Sequence, residues 1–297
     1  MARSCVTASR AEKITEDKQS REAEMRNSFL NLIAIGAATL ALSPNLAAQV
    51  VQFVELLEKN GPGGPAPRRD LYGMWAGPRG RGGEPSPFTP AGAARFKLNK
   101  PGTYSANSND PWLSCDPFGF PRTLLQETNG IVFSQMPDRI VITSEYNRTG
   151  RIVWMDGREL PKNVGAKGGP KSRLYGYSVG HWDGDYTLVV NTNGLVDSTW
   201  LDQPGHPHST DMRVEERYTR VSYNVLQTTV TVDDPKFYTK PWVLLPSKTY
   251  RWIPSNFSAY GITGEFDEQF CLPSEMIEYN KTITDAADPE STANRKK

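Results

Sequence analysis

From about residue 130 the chain alternates apolar and polar positions with a period of two. Arg139-Ile140-Val141-Ile142-Thr143-Ser144-Glu145-Tyr146 and Arg151-Ile152-Val153-Trp154 flank a turn at Asn147 to Gly150, and Asp156-Gly157 is a second turn signal. Tyr175 to Trp182 and Tyr186 to Thr192 flank Asp183-Gly184-Asp185, the strongest hairpin signal in the chain. Val214 to Tyr223 and Leu226 to Val232 flank a turn at Asn224; Trp242 to Leu245 and Thr249 to Trp252 follow. No helical pattern separates these eight or more strands, which argues against alternating helices and parallel strands. The fold class expected is all-β: an antiparallel meander closed into a barrel, because closure removes the exposed edges of a sheet. A two-sheet β-sandwich is the alternative.

The flanks differ. Gln49 to Lys59 carries a short helical pattern stopped by Asn60-Gly61-Pro62. Residues 61–110 are dominated by Gly, Pro, Arg, Ser and Asn, so an extended arm is expected there, with Leu71-Tyr72-Gly73-Met74-Trp75 as an anchoring segment. After Pro273, Ser274 can cap a short helix, and the tail from Asp285 is expected to be disordered. The divisions are therefore 1–48, 49–110, 111–284 and 285–297.

Residues 1–24 are polar and mixed in charge, whereas Met25 opens a different pattern. Arg26 supplies a positive charge, Phe29 to Leu42 an apolar run, Ser43-Pro44-Asn45 a break, and Ala47-Ala48 small residues. That order reads as a secretory signal peptide cleaved near Ala48, with Met25 as the true start. The expected compartment is the bacterial periplasm or exterior. There, Cys115 and Cys271 are expected to pair, as thiols in an oxidising compartment do. Of 34 basic and 33 acidic residues, 28 of each follow Ala48, and a neutral body argues against nucleic-acid partners or, once the signal is cleaved, a membrane.

Several runs then stand out: Asn109-Asp110-Pro111 with Cys115-Asp116-Pro117-Phe118-Gly119-Phe120-Pro121-Arg122, Met155-Asp156-Gly157-Arg158, and Gly180-His181-Trp182-Asp183-Gly184-Asp185. Thr199-Trp200-Leu201-Asp202 leads to Gly205-His206-Pro207-His208-Ser209, and Glu216-Arg217-Tyr218 and Tyr238-Thr239-Lys240-Pro241-Trp242 follow. This ordered set, over roughly residues 70 to 283, resembles a widespread family of exported bacterial proteins of uncharacterised function. The resemblance implies a lipocalin-like barrel. It also implies that the usual histidine is the one at 208, whereas position 206 varies.

Chemistry is sparse. His206 and His208 would share a face if extended, as a metal pair needs, but Gly205 and Pro207 suggest a turn, and no metal or cofactor is expected. Asp197, Asp202, His208 and Glu216 cluster in sequence; a histidine oriented by a carboxylate can shuttle protons, and Arg217 could stabilise negative charge. Ser198 and Ser209 are the candidate nucleophiles, but neither sits in a Gly-x-Ser-x-Gly elbow, and a serine hydrolase is not expected. A barrel lined by Trp154, Trp182, Trp200 and Trp242 would hold a small apolar or aromatic ligand. Three readings follow: a ligand-binding barrel; an enzyme (isomerase, lyase or hydrolase) using His208 with Asp197, Asp202, Glu216 and Arg217; or a structural protein whose arm wraps a partner.

Overall fold

The computed structural model describes residues 55–275 apart from 79, 81–82, 103–107, 127–129, 147–148, 260–261 and 266–270. The segments read above as leader and signal peptide, and the tail from Asp285, lie outside these residues. Nine strands close into one barrel in sequence order: β1 (Gly73–Ala76), β2 (Ile131–Gln135), β3 (Arg139–Ser144), β4 (Gly150–Trp154), β5 (Tyr177–Asp183), β6 (Thr187–Asn193), β7 (Arg213–Ser222), β8 (Val225–Asp233) and β9 (Trp242–Ile253). A two-stranded ribbon, β10 (Ser258–Ala259) and β11 (Ile262–Thr263), follows. The barrel is the fold expected, and the sandwich is excluded.

Three details depart from the meander. The segment Leu71 to Trp75 does more than anchor: β1 closes the barrel, pairing Trp75 with Ile131 of β2 and Trp252 of β9. The two short strands expected around Pro246 are one strand, because Pro246 faces outward where the register with β8 shifts and costs no ladder hydrogen bond. Finally, β4 and β5 are parallel, with Val153 opposite Ser178. A parallel pair needs a long crossover. Residues 155–176 supply it without a helix, since Gly157, Pro161, Gly165, Gly168, Gly169 and Pro170 deny them any apolar period.

Side-chain alternation decides what faces inward. On β7 Val214, Glu216, Tyr218 and Arg220 are buried, whereas Glu215 and Val221 are exposed. Inside, Trp75, Phe133, Ile140, Ile142, Val153, Leu188, Val190, Val230 and Tyr250 form one apolar core. The β1–β2 connection adds a plug. It carries α1 (Pro90–Phe96), a 3₁₀ helix (Pro111–Ser114) and α2 (Arg122–Gln126), and Phe120, Leu124 and Leu125 join the barrel core. Lys248 Nζ donates to the Leu124 carbonyl at 2.9 Å from within β9, and the amide of Gly80 donates to the Leu125 carbonyl at 2.8 Å. A bidentate pair buried from water, Arg122 to Asp110 at 2.7 and 2.6 Å, fixes the approach to α2.

Cys115 follows the 3₁₀ helix and is disulfide-bonded to Cys271, 156 residues on, with Cα atoms 5.3 Å apart. The helical pattern at Gln49 to Lys59 is helix over 55–58, and a helical turn occupies 273–275 where the C-terminal helix is expected. The start of the arm is tied to its own barrel. The amide of Asn224 donates to the Pro62 carbonyl, and Arg220 Nη1 donates to the Asp70 carbonyl at 2.7 Å.

Candidate functional site

Strand direction sorts the connections. β1, β3, β6 and β8 run one way and finish at what we call the upper end, where the connections 77–130, 194–212 and 234–241 gather. The lower end carries the tight turns after β2, β5 and β7, the start of the 155–176 crossover, the chain after β9 and the packed arm. Binding groups concentrate on loops held by a rigid scaffold, so the upper end is the candidate site.

The connection 194–212 holds Asp197, Asp202, His206 and His208, and β7 holds Glu216 and Arg217, but the fold does not bring them together. His208 is buried, 2% exposed. Its Nδ1 faces the Ser209 carbonyl at 3.3 Å, an acceptor only, which puts the ring hydrogen on Nδ1 and leaves Nε2 to accept from Thr199 Oγ1 at 2.9 Å. The expected carboxylate partner is thus replaced by a hydroxyl and a carbonyl. Burial lowers the His208 pKa, while the Ser209 bond and the charges of Asp234 and Asp197 pull the other way. Asp197 itself is exposed. Arg217 lies on the outer face of β7, paired with Asp183. Ser209 is also committed: its Oγ donates to Asp234 Oδ1 at 2.8 Å.

Asp202 pairs with the other histidine. Its Oδ2 lies 2.7 Å from His206 Nδ1, and its Oδ1 accepts from the amides of Gly205 and His206, closing the turn that Gly205 and Pro207 foreshadow. On the far side of the ring, His206 Nε2 lies 3.1 Å from Ser86 Oγ. This contact is not legible in the chain, because Ser86 and His206 are separated by 120 positions.

Glu216 faces the barrel interior. Arg151 of β4 donates through Nη1 to Glu216 Oε1 at 2.8 Å and through Nη2 to Oε2, and Tyr218 donates to the same carboxylate at 2.5 Å. Arg151 Nη1 also reaches the Ser178 and Thr192 hydroxyls, and its guanidinium lies 4.0 Å from the Phe120 ring of the plug. Burial opposes the Arg151 charge, but Glu216 and Tyr218 outweigh it and raise its pKa; burial and Glu216 raise that of Tyr218. A void of about 10 Å³ beside Arg151, Thr149 and Phe120 has room for little more than one water.

The four tryptophans do not line one cavity. Trp154 lies under the guanidinium groups of Arg139 and Arg158, 4.2 and 3.6 Å from its ring centre. Trp182 packs partly buried on the core, Trp200 is buried near Arg122, and Trp242 packs at a tilt on His206 with ring centres 4.9 Å apart.

Space for a ligand lies at the rim. A cleft of about 880 Å³ opens between residues 159–164 of the crossover and 210–213, with Asn193, Gly194, Asp233 and Pro235 completing its wall. Leu160 and Val164 supply apolar surface; Glu159, Lys162, Asp211, Arg213 and Asp233 supply charge. Its volume is in the range of small-molecule sites.

Among the described residues no group of three or more His, Cys, Asp or Glu could hold a metal ion, and no helix is long and apolar enough to cross a membrane. No family model, curated protein or solved structure matches this chain.

Proposed function

We propose that this chain is an exported binding protein that takes a small, partly apolar molecule in the cleft at the upper end of its barrel. The observation that carries the reading is that cleft, of about 880 Å³, walled by the 159–164 and 210–213 segments and joined to a rigid nine-stranded scaffold. The ligand site is the rim rather than the interior, because core side chains and the plug fill the barrel. Leu160 and Val164 receive apolar parts of the ligand, and Lys162, Arg213 and the carboxylates around them fix its polar end.

Export and membership of the exported bacterial family that the motifs resemble belong to the same proposal. The Cys115–Cys271 disulfide supports an oxidising compartment. The acid–base reading built on His208 with Asp197, Asp202, Glu216 and Arg217 has no such support, since His208, Asp202, Glu216 and Arg217 each serve a separate partnership and Asp197 is exposed.

Native mass spectrometry of the full exported chain, incubated with extracted bacterial lipids and metabolites, tests the proposal. One small-molecule adduct per chain, lost in the Leu160→Asp/Val164→Asp variant, is expected. An adduct retained in that variant, or none in the parent, would overturn it.

A further inference from the structure

Ser86, His206 and Asp202 stand in line at the upper end, and nothing in the proposed cleft uses them. The carboxylate of Asp202 can only accept, so its 2.7 Å contact places the ring hydrogen of His206 on Nδ1. Nε2 is then the free lone pair, 3.1 Å from the Ser86 hydroxyl. A nucleophile within hydrogen-bond reach of a base, and that base oriented by a third group, is the arrangement that activates a hydroxyl for attack on a carbonyl.

The surroundings keep this line fixed. Asp202 uses its second oxygen on the amides of Gly205 and His206, so one residue holds both the turn and the ring. The ring of His206 packs against Phe96 and Phe88, with centres 4.8 and 5.5 Å away, and against Trp242. Only 15% of the His206 side chain and 9% of the Asp202 side chain meet solvent, whereas Ser86 is half-buried.

Ser86 is held as firmly. It lies between Pro85 and Pro87, and its carbonyl accepts from the Phe88 amide at 3.0 Å across Pro87, a three-residue turn that the proline ring favours. Trp242 Nε1 donates to the Glu84 carbonyl, and the Thr239 amide donates to the Pro87 carbonyl at 2.8 Å. At Gly92 a side chain would strike the Phe237 carbonyl, 2.2 Å from a Cβ, so α1 can approach the 234–241 connection only with glycine there.

We propose that Ser86 is the nucleophile, His206 the general base and Asp202 the positioning residue of an acyl-transfer site acting on carboxylic esters with a small apolar acyl group. Phe88 and Phe96, beside the ring, suit such an acyl group. Ser86 Oγ attacks the ester carbonyl carbon and its proton passes to His206 Nε2. The bond from carbonyl carbon to alkoxy oxygen breaks, and the imidazolium returns the proton to the departing alcohol. Water then attacks the acyl carbon, gives a proton to Nε2, and releases the carboxylic acid as Ser86 regains its hydrogen. Atoms and charge balance with ester and water alone. The inference concerns this chain, in which position 206 is histidine.

Incubation of the full chain with a fluorophosphonate probe, followed by peptide mapping, tests it. The probe should modify Ser86 in the parent, and His206→Gln should slow that modification by at least about 100-fold, the usual scale of general-base assistance. Asp202→Asn keeps an oxygen for the turn but none for Nδ1–H. It should lower kcat for p-nitrophenyl acetate with KM little changed, and remove the low-field proton resonance of His206. A folded parent that leaves Ser86 unmodified would overturn the proposal without any variant. Equal labelling in His206→Gln would overturn it too.

Discussion

Arg151 of β4 and Glu216 of β7 meet inside the barrel, the guanidinium Nη1 2.8 Å from the carboxylate Oε1, with the Tyr218 hydroxyl on the same carboxylate. Both charges are buried, 8% and 0% exposed, so each depends on the other. Removing one partner leaves an uncompensated buried charge. Glu216→Gln should lower stability by about 3–5 kcal/mol, read by urea denaturation. The Arg151→Met/Glu216→Leu double variant should lose less than the sum of its single variants, because the pair goes together. Additive losses would show that the two do not act as a unit.

The plug is an integral part of the core. Phe120 is 2% exposed beneath Arg151, so Phe120→Ala should cost about 3–5 kcal/mol, as truncating a buried phenylalanine does. A loss below 1 kcal/mol, by the same measurement, would mean that α2 sits loosely on the barrel.

His208 should matter to stability more than to chemistry. Its folded pKa is lowered by burial, so below its unfolded value near 6.5 the unfolded chain binds a proton that the folded chain resists. The stability that neutral His208 contributes is therefore present above about pH 6.5 and lost as pH falls towards its folded pKa. His208→Ala should melt lower at pH 7, by about 1–3 kcal/mol, because Thr199 loses its partner. It should also show a shallower stability loss between pH 7 and 5 than the parent. A variant as stable as the parent, with the parent's acid-side slope, would contradict this.

How much of this was legible beforehand depends on the period of each segment. Alternation located β3 to β8, and on β7 it puts Glu216 and Tyr218 on the face of Val214, just as Arg151 shares the face of Val153 on β4. Parity alone thus points to the buried ion pair, although sequence proximity groups Glu216 with His208. β1 is four residues inside a Gly/Pro-rich arm, too short for a period to register. The parallel β4–β5 pair was hidden because Asp156-Gly157 is a turn signal whether the chain returns as a hairpin or begins a crossover. Ser86 could not be linked to His206 at all: their contact arises from how two connections pack at one end of the barrel.

The disulfide ties the plug-bearing connection to the chain beyond β9. Cross-linking so long a loop stabilises by up to about 5 kcal/mol in the chain-entropy model. The Cys115→Ser/Cys271→Ser variant should unfold at lower urea, and alkylation of the unreduced, denatured parent should modify neither cysteine. Recovery of both as alkylated thiols would refute the pairing.

The central claim is a ligand at the barrel rim, and hydrogen exchange of the full chain, with and without the molecule recovered by native mass spectrometry, tests it most directly. Added protection should concentrate in 159–164 and 210–213, with the barrel strands β2 and β3 unchanged. Protection confined to the barrel strands, or absent from both rim segments, would contradict the account.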